Sequence, residues 1–174
     1  MDMDKKYLYI IQKIFSKNEQ NHALGKKMFQ KLFYLIEQRG IDLKLGYMIH
    51  FYGPYSSKLD SLIHEYEFEN YLNIDTSGIT HIINKTNDFP KNIILEDAKE
   101  DEKINFVLDT FLNKSPRDLE ALTTLDYVSK HIQADRKNEN NIIADVLKIK
   151  GDKFLEKDLK KYYSELKRIG YLKN

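Results

Sequence analysis

The sequence predicts a mainly α-helical protein with a small β-hairpin, in which a winged-helix-like N-terminal unit packs on a second, helix-turn-helix-like unit. Apolar residues recur at helical spacing in seven segments. Two short alternating runs around a turn that ends in glycine, near residues 71–83, predict the hairpin. The chain is 41% hydrophobic and 32% charged, so a core can form without disulfide bonds or metals.

Two helices open the first unit, which we expect to span residues 1–85. Apolar residues at helical spacing predict these helices at about residues 5–15 and 24–38. The second helix has a wide apolar stripe, and its opposite face includes Gln30, Lys31 and Tyr34. This pattern predicts that the three side chains face away from the core.

A strand and a third helix follow. The run Tyr47–Tyr52 is β-branched and aromatic, which is typical of a strand, and Gly53-Pro54 breaks it. Ser56 or Ser57 can cap the next helix, and Ser57 has the spacing to Asp60 that a capping box requires. The order helix, helix, strand, helix, hairpin is that of a winged-helix unit, in which the third helix is the reader and the hairpin is the wing.

A second helical unit is predicted at residues 96–174, after a connector at residues 86–95. Ser115-Pro116 is a strong helix start, because a serine cap precedes a proline in the first turn. The first helix of this unit has its own apolar stripe and is expected to bridge the two units. The other three resemble a helix-turn-helix. The four helices are expected at about residues 96–112, 116–132, 141–149 and 156–169, with a polar loop at residues 133–140.

Positive charge is concentrated near the C-terminus. Residues 148–174 contain nine basic and four acidic side chains, whereas the whole chain has a net charge of +1. Lys157, Lys160, Lys161 and Arg168 share one face of the last predicted helix, and Lys153 lies just ahead of them. These five residues are the candidate contacts for nucleic acid or another anionic partner. The alternative interpretation is a solvated helix surface.

Several kinds of catalytic and metal site are excluded. Cysteine is absent, which rules out a thiol nucleophile and a cysteine-ligated metal. The five histidines include no pair at the spacing of a helical zinc site, and no glycine-rich phosphate loop or GxSxG motif is present. We therefore expect no enzymatic activity, no cofactor and no metal. Because there is no signal-peptide pattern and no long apolar stretch, we expect a cytoplasmic protein without membrane contact.

The most distinctive motif lies in residues 27–59. Phe29-Gln30-Lys31-Leu32-Phe33-Tyr34-Leu35 is followed by Phe51-Tyr52-Gly53-Pro54-Tyr55-Ser56. This combination resembles the YwgA-like proteins and the related Panacea, or SocA-like antitoxin, domain. In that family a Gln-Lys-Leu-x-Tyr helix precedes an aromatic–Gly-Pro turn. The resemblance implies candidate partner-binding residues, namely Gln30, Lys31, Tyr34, Tyr52, Gly53, Pro54, Tyr55 and Ser56.

Two functions are in competition at this point. The resemblance implies a non-enzymatic binding or regulatory protein, antitoxin- or adaptor-like, that acts through protein–protein contacts. The alternative is a winged-helix DNA-binding transcriptional regulator. Against the alternative, the exposed face of the third helix carries Asp60, His64 and Glu65, and only Lys58 is basic.

Overall fold

The computed structural model describes residues 3–19, 22–132 and 138–172. Its contacts divide the chain into two compact units. The first comprises Met1–Tyr47 and Ser56–Lys114, and the second comprises Met48–Tyr55 and Ser115–Asn174. These bounds differ from the predicted division at residues 1–85 and 96–174. The short segment Met48–Tyr55 belongs to the second unit, although the chain on both sides of it belongs to the first.

The described part of the chain is mainly helical and contains two small antiparallel hairpins. None of its helices is both long enough and apolar enough to span a bilayer. Helix α5 continues as a π-helical turn at Val128–Ile132, and a 3-10 turn at Gly151–Lys153 precedes the last helix. Residues 133–137 of the predicted polar loop lie outside the described residues. In chain order, the elements are α1 (Met3–Lys17), α2 (Lys26–Gln38), β1 (Met48–His50), β2 (Gly53–Tyr55), α3 (Ser57–Phe68), β3 (Leu72–Asp75), β4 (Ile82–Lys85), α4 (Ala98–Phe111), α5 (Pro116–Tyr127), α6 (Glu139–Lys150) and α7 (Glu156–Arg168).

The segment predicted as a single strand at residues 47–52 forms a hairpin instead. β1 and β2 pair antiparallel, with Ile49 opposite Pro54 and His50 opposite Gly53. Gly53 has φ of +90°, a conformation that costs other residues about 1–2 kcal/mol, so glycine allows the chain to reverse here. Both strands of a two-stranded sheet are edges, and an edge tolerates proline. Gly53-Pro54 therefore begins β2, whereas the sequence predicted that this pair ends the strand.

The second hairpin, β3–β4, starts its second strand three residues later than expected. Ile74 lies opposite Ile83, and both are buried, whereas Ile79 in the connecting loop is fully exposed. β4 also bonds to the segment before α2: the Ile83 N–H donates to the Leu24 carbonyl at 2.9 Å. The segment Leu24-Gly25 therefore pairs with β4.

Helix α4 belongs to the first unit, where it packs on α1 and α2. Its buried face consists of Ile104, Val107, Leu108 and Phe111, as the apolar stripe predicted. Its polar face is tied to α1 by ion pairs, such as Lys6 with Glu100 at 2.7 Å. The contacts therefore assign this helix to the first unit, whereas the prediction was that it bridges the two units.

Helix α5 is the central element of the second unit, where it contacts β2, α6 and α7. Every residue from Leu119 to Asp126 is buried. The predicted helix start is confirmed, because the Ser115 hydroxyl accepts the Asp118 N–H at 3.1 Å and Pro116 occupies the first turn. A helix buried on most sides gives this unit a rigid base for the hairpin β1–β2.

Candidate functional site

The turn of the β1–β2 hairpin exposes two aromatic side chains. Phe51 is 74% exposed and Tyr52 is 42% exposed. Their rings meet edge to face, with centroids 4.9 Å apart. Gly53 and Pro54 directly behind them are buried. Two adjoining exposed rings on a short hairpin form the kind of apolar patch that marks interaction sites more often than a single exposed residue does.

A buried lysine holds the backbone of this turn. Lys150, the last residue of α6, donates from Nζ to the Phe51 carbonyl oxygen at 2.6 Å. The same ammonium donates to Glu120 Oε1 at 2.9 Å, and its side chain is only 2% exposed. Burial lowers the pKa of the Lys150 ammonium, and the Glu120 carboxylate opposes that shift. The turn is therefore fixed by a charged group that has little contact with water.

Glu120 on α5 also binds a second lysine. Lys153 Nζ donates to Oε1 at 2.8 Å and to Oε2 at 2.7 Å. The Glu120 side chain is 7% exposed, whereas the Lys153 side chain is 30% exposed. Two ammonium groups face one carboxylate, so the cluster of Glu120, Lys150 and Lys153 carries one unbalanced positive charge. Of the two lysines, Lys153 has the more exposed side chain.

The exposed lysine also lies against the two rings. Lys153 Nζ is 4.8 Å from the ring centroid of Tyr52 and 5.9 Å from that of Phe51, both within cation–π range. Arg117 donates from its guanidinium to the Lys153 carbonyl oxygen, which fixes the 3-10 turn that carries the lysine. We call Phe51, Tyr52 and Lys153 the hairpin-tip surface. All three side chains belong to the second unit.

Three of the candidate residues on α2 are buried, in contrast to the exposed face that the sequence predicted. Gln30 and Lys31 are each 4% exposed, and Tyr34 is fully buried. Tyr34 packs edge to face on Tyr47, with ring centroids 5.1 Å apart. The prediction failed because α2 is buried all round from Met28 to Ile36, so the side opposite its apolar stripe is not a solvent face.

Two hydrogen bonds join the Gln30 side chain to the Ser56 backbone within the first unit. The Gln30 side-chain amide donates to the Ser56 carbonyl and accepts from the Ser56 N–H, each at 2.9 Å. The Ser56 hydroxyl donates to the Leu45 carbonyl at 2.6 Å and accepts the Leu59 N–H at 3.0 Å. Ser56, and not Ser57, is therefore the cap of α3. This part of the distinctive motif positions the helix start.

The remaining motif residues lie in the hairpin. Tyr52 is on the hairpin-tip surface, Gly53 and Pro54 are buried behind it, and Tyr55 is half-buried. The Tyr55 ring contacts the His50 ring across the hairpin, with centroids 5.4 Å apart. Of the eight candidate partner-binding residues, Tyr52 is thus the one that offers a clearly exposed side chain.

The basic face predicted on the last helix is present on α7. Lys157, Lys160, Lys161 and Arg168 are exposed, and the opposite side of the helix is buried through Leu159, Tyr163 and Leu166. Lys160 pairs with Glu156 of the same helix at 2.6 Å. Lys153 does not lie on α7, because it occupies the preceding turn and binds Glu120.

The exposed side of α3 carries a mixed-charge network. Lys26 Nζ contacts Asp60 Oδ1 at 2.7 Å and His64 Nε2 at 3.0 Å. His64 Nδ1 is 3.2 Å from Glu67 Oε2. Among the described residues, no group of three or more histidine, aspartate or glutamate side chains is arranged to hold a metal ion. The exposed side of α3 therefore carries paired acidic and basic groups.

Comparison of the sequence with known proteins does not assign a role to these residues. The sequence matches no protein-family model, and no curated protein matches it.

Three residues of the site were not among the sequence candidates: Phe51, Glu120 and Lys150. Phe51 had a local signal, because it adjoins Tyr52 in an aromatic pair directly before Gly53-Pro54. Glu120 and Lys150 are 30 positions apart in the chain, and Lys150 and Phe51 are 99 apart. No local pattern connects positions at such separations, so these contacts could not be predicted from spacing.

Proposed function

We propose that this chain is a non-enzymatic binding protein, antitoxin- or adaptor-like, that contacts a protein partner through the hairpin-tip surface. The observation that carries the proposal is the exposed aromatic pair Phe51–Tyr52, whose backbone is fixed by buried Lys150. Aromatic side chains dominate interface energetics, and a pre-ordered surface loses less entropy on binding. The resemblance to YwgA-like proteins supports the same proposal, because their aromatic–Gly-Pro motif corresponds to this turn.

The test is affinity enrichment from the native cells after nuclease treatment. We expect the wild-type chain to retain a protein partner. The double variant Phe51→Ser/Tyr52→Ser should retain it at least tenfold less, since one hot-spot aromatic contributes about 2 kcal/mol or more.

A matched control separates this surface from general hydrophobicity. Phe68 on α3 is 92% exposed and lies in the first unit, so Phe68→Ser removes an exposed aromatic ring elsewhere. This variant should retain the partner like wild type. Equal retention by wild type and the hairpin double variant, or equal loss in the Phe68 variant, would contradict the proposal.

The second candidate is a winged-helix DNA-binding regulator. Two observations favour it: β4 pairs with Leu24-Gly25 before α2, and α7 has an exposed basic face. The charge reversal Lys160→Glu/Lys161→Glu tests it by titration of duplex DNA at two salt concentrations. DNA binding through this face would be salt-sensitive and lost in the variant. If wild type does not bind DNA at low salt, this candidate is excluded and the protein-binding proposal stands alone.

A further inference from the structure

We infer that the hairpin-tip surface recognises an acidic peptide segment in which a large apolar side chain adjoins a carboxylate. This inference rests on the proposed function and specifies the chemistry of the partner. It follows from the charge of the cluster, from the position of the partly exposed Lys153 side chain beside two rings, and from the fact that Lys153 is the single cation among the three residues of this surface.

The charge of the cluster selects an acidic ligand. Glu120 can neutralise one of the two lysines that it binds, and Lys150 is enclosed with only 2% of its side chain exposed. Lys153, whose side chain is partly exposed, is therefore the lysine of this cluster that a carboxylate of a ligand can approach. A carboxylate from a partner would meet this ammonium in a partly desolvated position, where a charge-assisted hydrogen bond is stronger than on an open surface.

The rings of Phe51 and Tyr52 favour a ligand that also carries an apolar side chain. Lys153 Nζ lies 4.8 Å from the Tyr52 ring and 5.9 Å from the Phe51 ring. A ligand whose carboxylate reaches the ammonium can therefore place a neighbouring side chain against one of these rings. Consecutive Cα atoms are about 3.8 Å apart, so adjoining residues of one peptide can fill both positions. An aromatic or branched apolar residue next to aspartate or glutamate fits this arrangement.

Single-stranded nucleic acid also uses aromatic rings and cations, but the surface fits it less well. A nucleic-acid groove presents a series of cations that follow successive phosphates. The hairpin-tip surface has one cation, the partly exposed Lys153, while Lys150 is enclosed and its carboxylate partner Glu120 adds negative charge. One exposed cation beside two rings is sufficient for a side-chain carboxylate, so we choose the acidic peptide.

The experiment is a selection from a random peptide library displayed on phage, with the 174-residue chain immobilised. We expect the enriched peptides to carry aspartate or glutamate next to a large apolar residue. Phe51→Ser/Tyr52→Ser should reduce binding of these peptides at least tenfold. Lys153→Gln should remove the preference for acidic residues, and thermal unfolding of each variant checks that it is folded.

Two control variants test whether the peptides bind at the hairpin-tip surface rather than elsewhere on the chain. Phe68→Ser removes an exposed ring on α3, and Lys157→Gln removes an exposed cation on α7. Both should bind the enriched peptides like wild type. If Lys157→Gln abolishes the acidic preference as fully as Lys153→Gln does, the basic face of α7 selects the acid and the inference is wrong.

The other outcomes separate the inference from the proposed function. Enriched peptides without acidic residues overturn the inference, but they leave a protein-binding hairpin in place. If no peptide is enriched, while a labelled single-stranded oligonucleotide binds and Phe51→Ser/Tyr52→Ser abolishes that binding, both are overturned. If neither probe binds, the inference fails, and enrichment from native cells decides the proposed function independently.

Discussion

At the scale of the residue, Glu120 organises the candidate site. Its carboxylate accepts hydrogen bonds from Lys150 and Lys153, and Lys150 in turn holds the Phe51 carbonyl. Burying charges costs free energy unless every charge has a partner, and removing one partner leaves the others uncompensated. The shape of the hairpin turn is therefore coupled to one carboxylate on α5.

Replacing this carboxylate should be strongly destabilising. We expect Glu120→Ala to lower the free energy of unfolding by about 3–5 kcal/mol, because enclosed Lys150 loses its counter-ion. The matched control is Lys148→Ala, whose side chain is 78% exposed and which should change stability by less than about 0.5 kcal/mol. Urea unfolding of the three proteins measures both values.

A second variant tests whether the unpaired charge of Lys150 causes the loss of stability in Glu120→Ala. In Glu120→Ala/Lys150→Met the unpaired ammonium is removed together with the carboxylate, so part of the lost stability should return. If the double variant is as unstable as Glu120→Ala, the loss does not arise from the unpaired charge of Lys150.

At the scale of the element, sequence patterns within one segment predicted the positions and caps of helices well. They did not predict which side of a helix is exposed to solvent. The apolar stripe of α4 and the Ser115 cap of α5 could be predicted, because both depend on neighbours a few positions away. The exposure of Gln30 and Tyr34 on α2 could not, since burial of that side is a tertiary effect. The hairpin β1–β2 was missed because Gly53-Pro54 is compatible with either a strand end or a turn.

The hairpin turn should depend on the glycine at its end. Gly53 has φ of +90°, so we expect Gly53→Ala to lower the free energy of unfolding by about 1–2 kcal/mol. Gly78 is the matched control: it lies in the loop between β3 and β4, and an added Cβ would meet only ordinary contacts at 3.8 Å and beyond. Thermal unfolding should show a loss in the first variant that is absent from Gly78→Ala. Equal effects would mean that the left-handed turn is not the cause.

At the scale of the whole molecule, buried tyrosine hydroxyls should make stability depend on alkaline pH. Burial raises the pKa of Tyr7, Tyr9, Tyr47 and Tyr66. Burial, followed by the hydrogen bond to Asp118, raises the pKa of Tyr162 to about 12 from an ordinary value of 10.0. Above pH 10.0 the unfolded chain releases protons that the folded chain retains. The stabilisation is therefore complete below that pH and is lost as pH rises through the folded pKa values.

The measurement is urea unfolding at about pH 8 and about pH 11, together with tyrosinate absorbance during an alkaline titration. The free energy of unfolding should be lower at the higher pH, and Tyr162→Phe should make the difference smaller. If the tyrosinate signal is complete while the chain is still folded, the hydroxyls are not protected by burial and the prediction is wrong.

The division of the second unit into two stretches of sequence has a consequence for protein synthesis. Its hairpin, Met48–Tyr55, emerges from the ribosome 60 residues before Ser115, where the rest of that unit begins. At roughly 5–20 residues per second, this interval lasts several seconds, and Lys150 follows later still. During that time Phe51 and Tyr52 are available to chaperones. In a growing chain, this hairpin is thus the first part of its unit to be made, and the helices that hold it are made later.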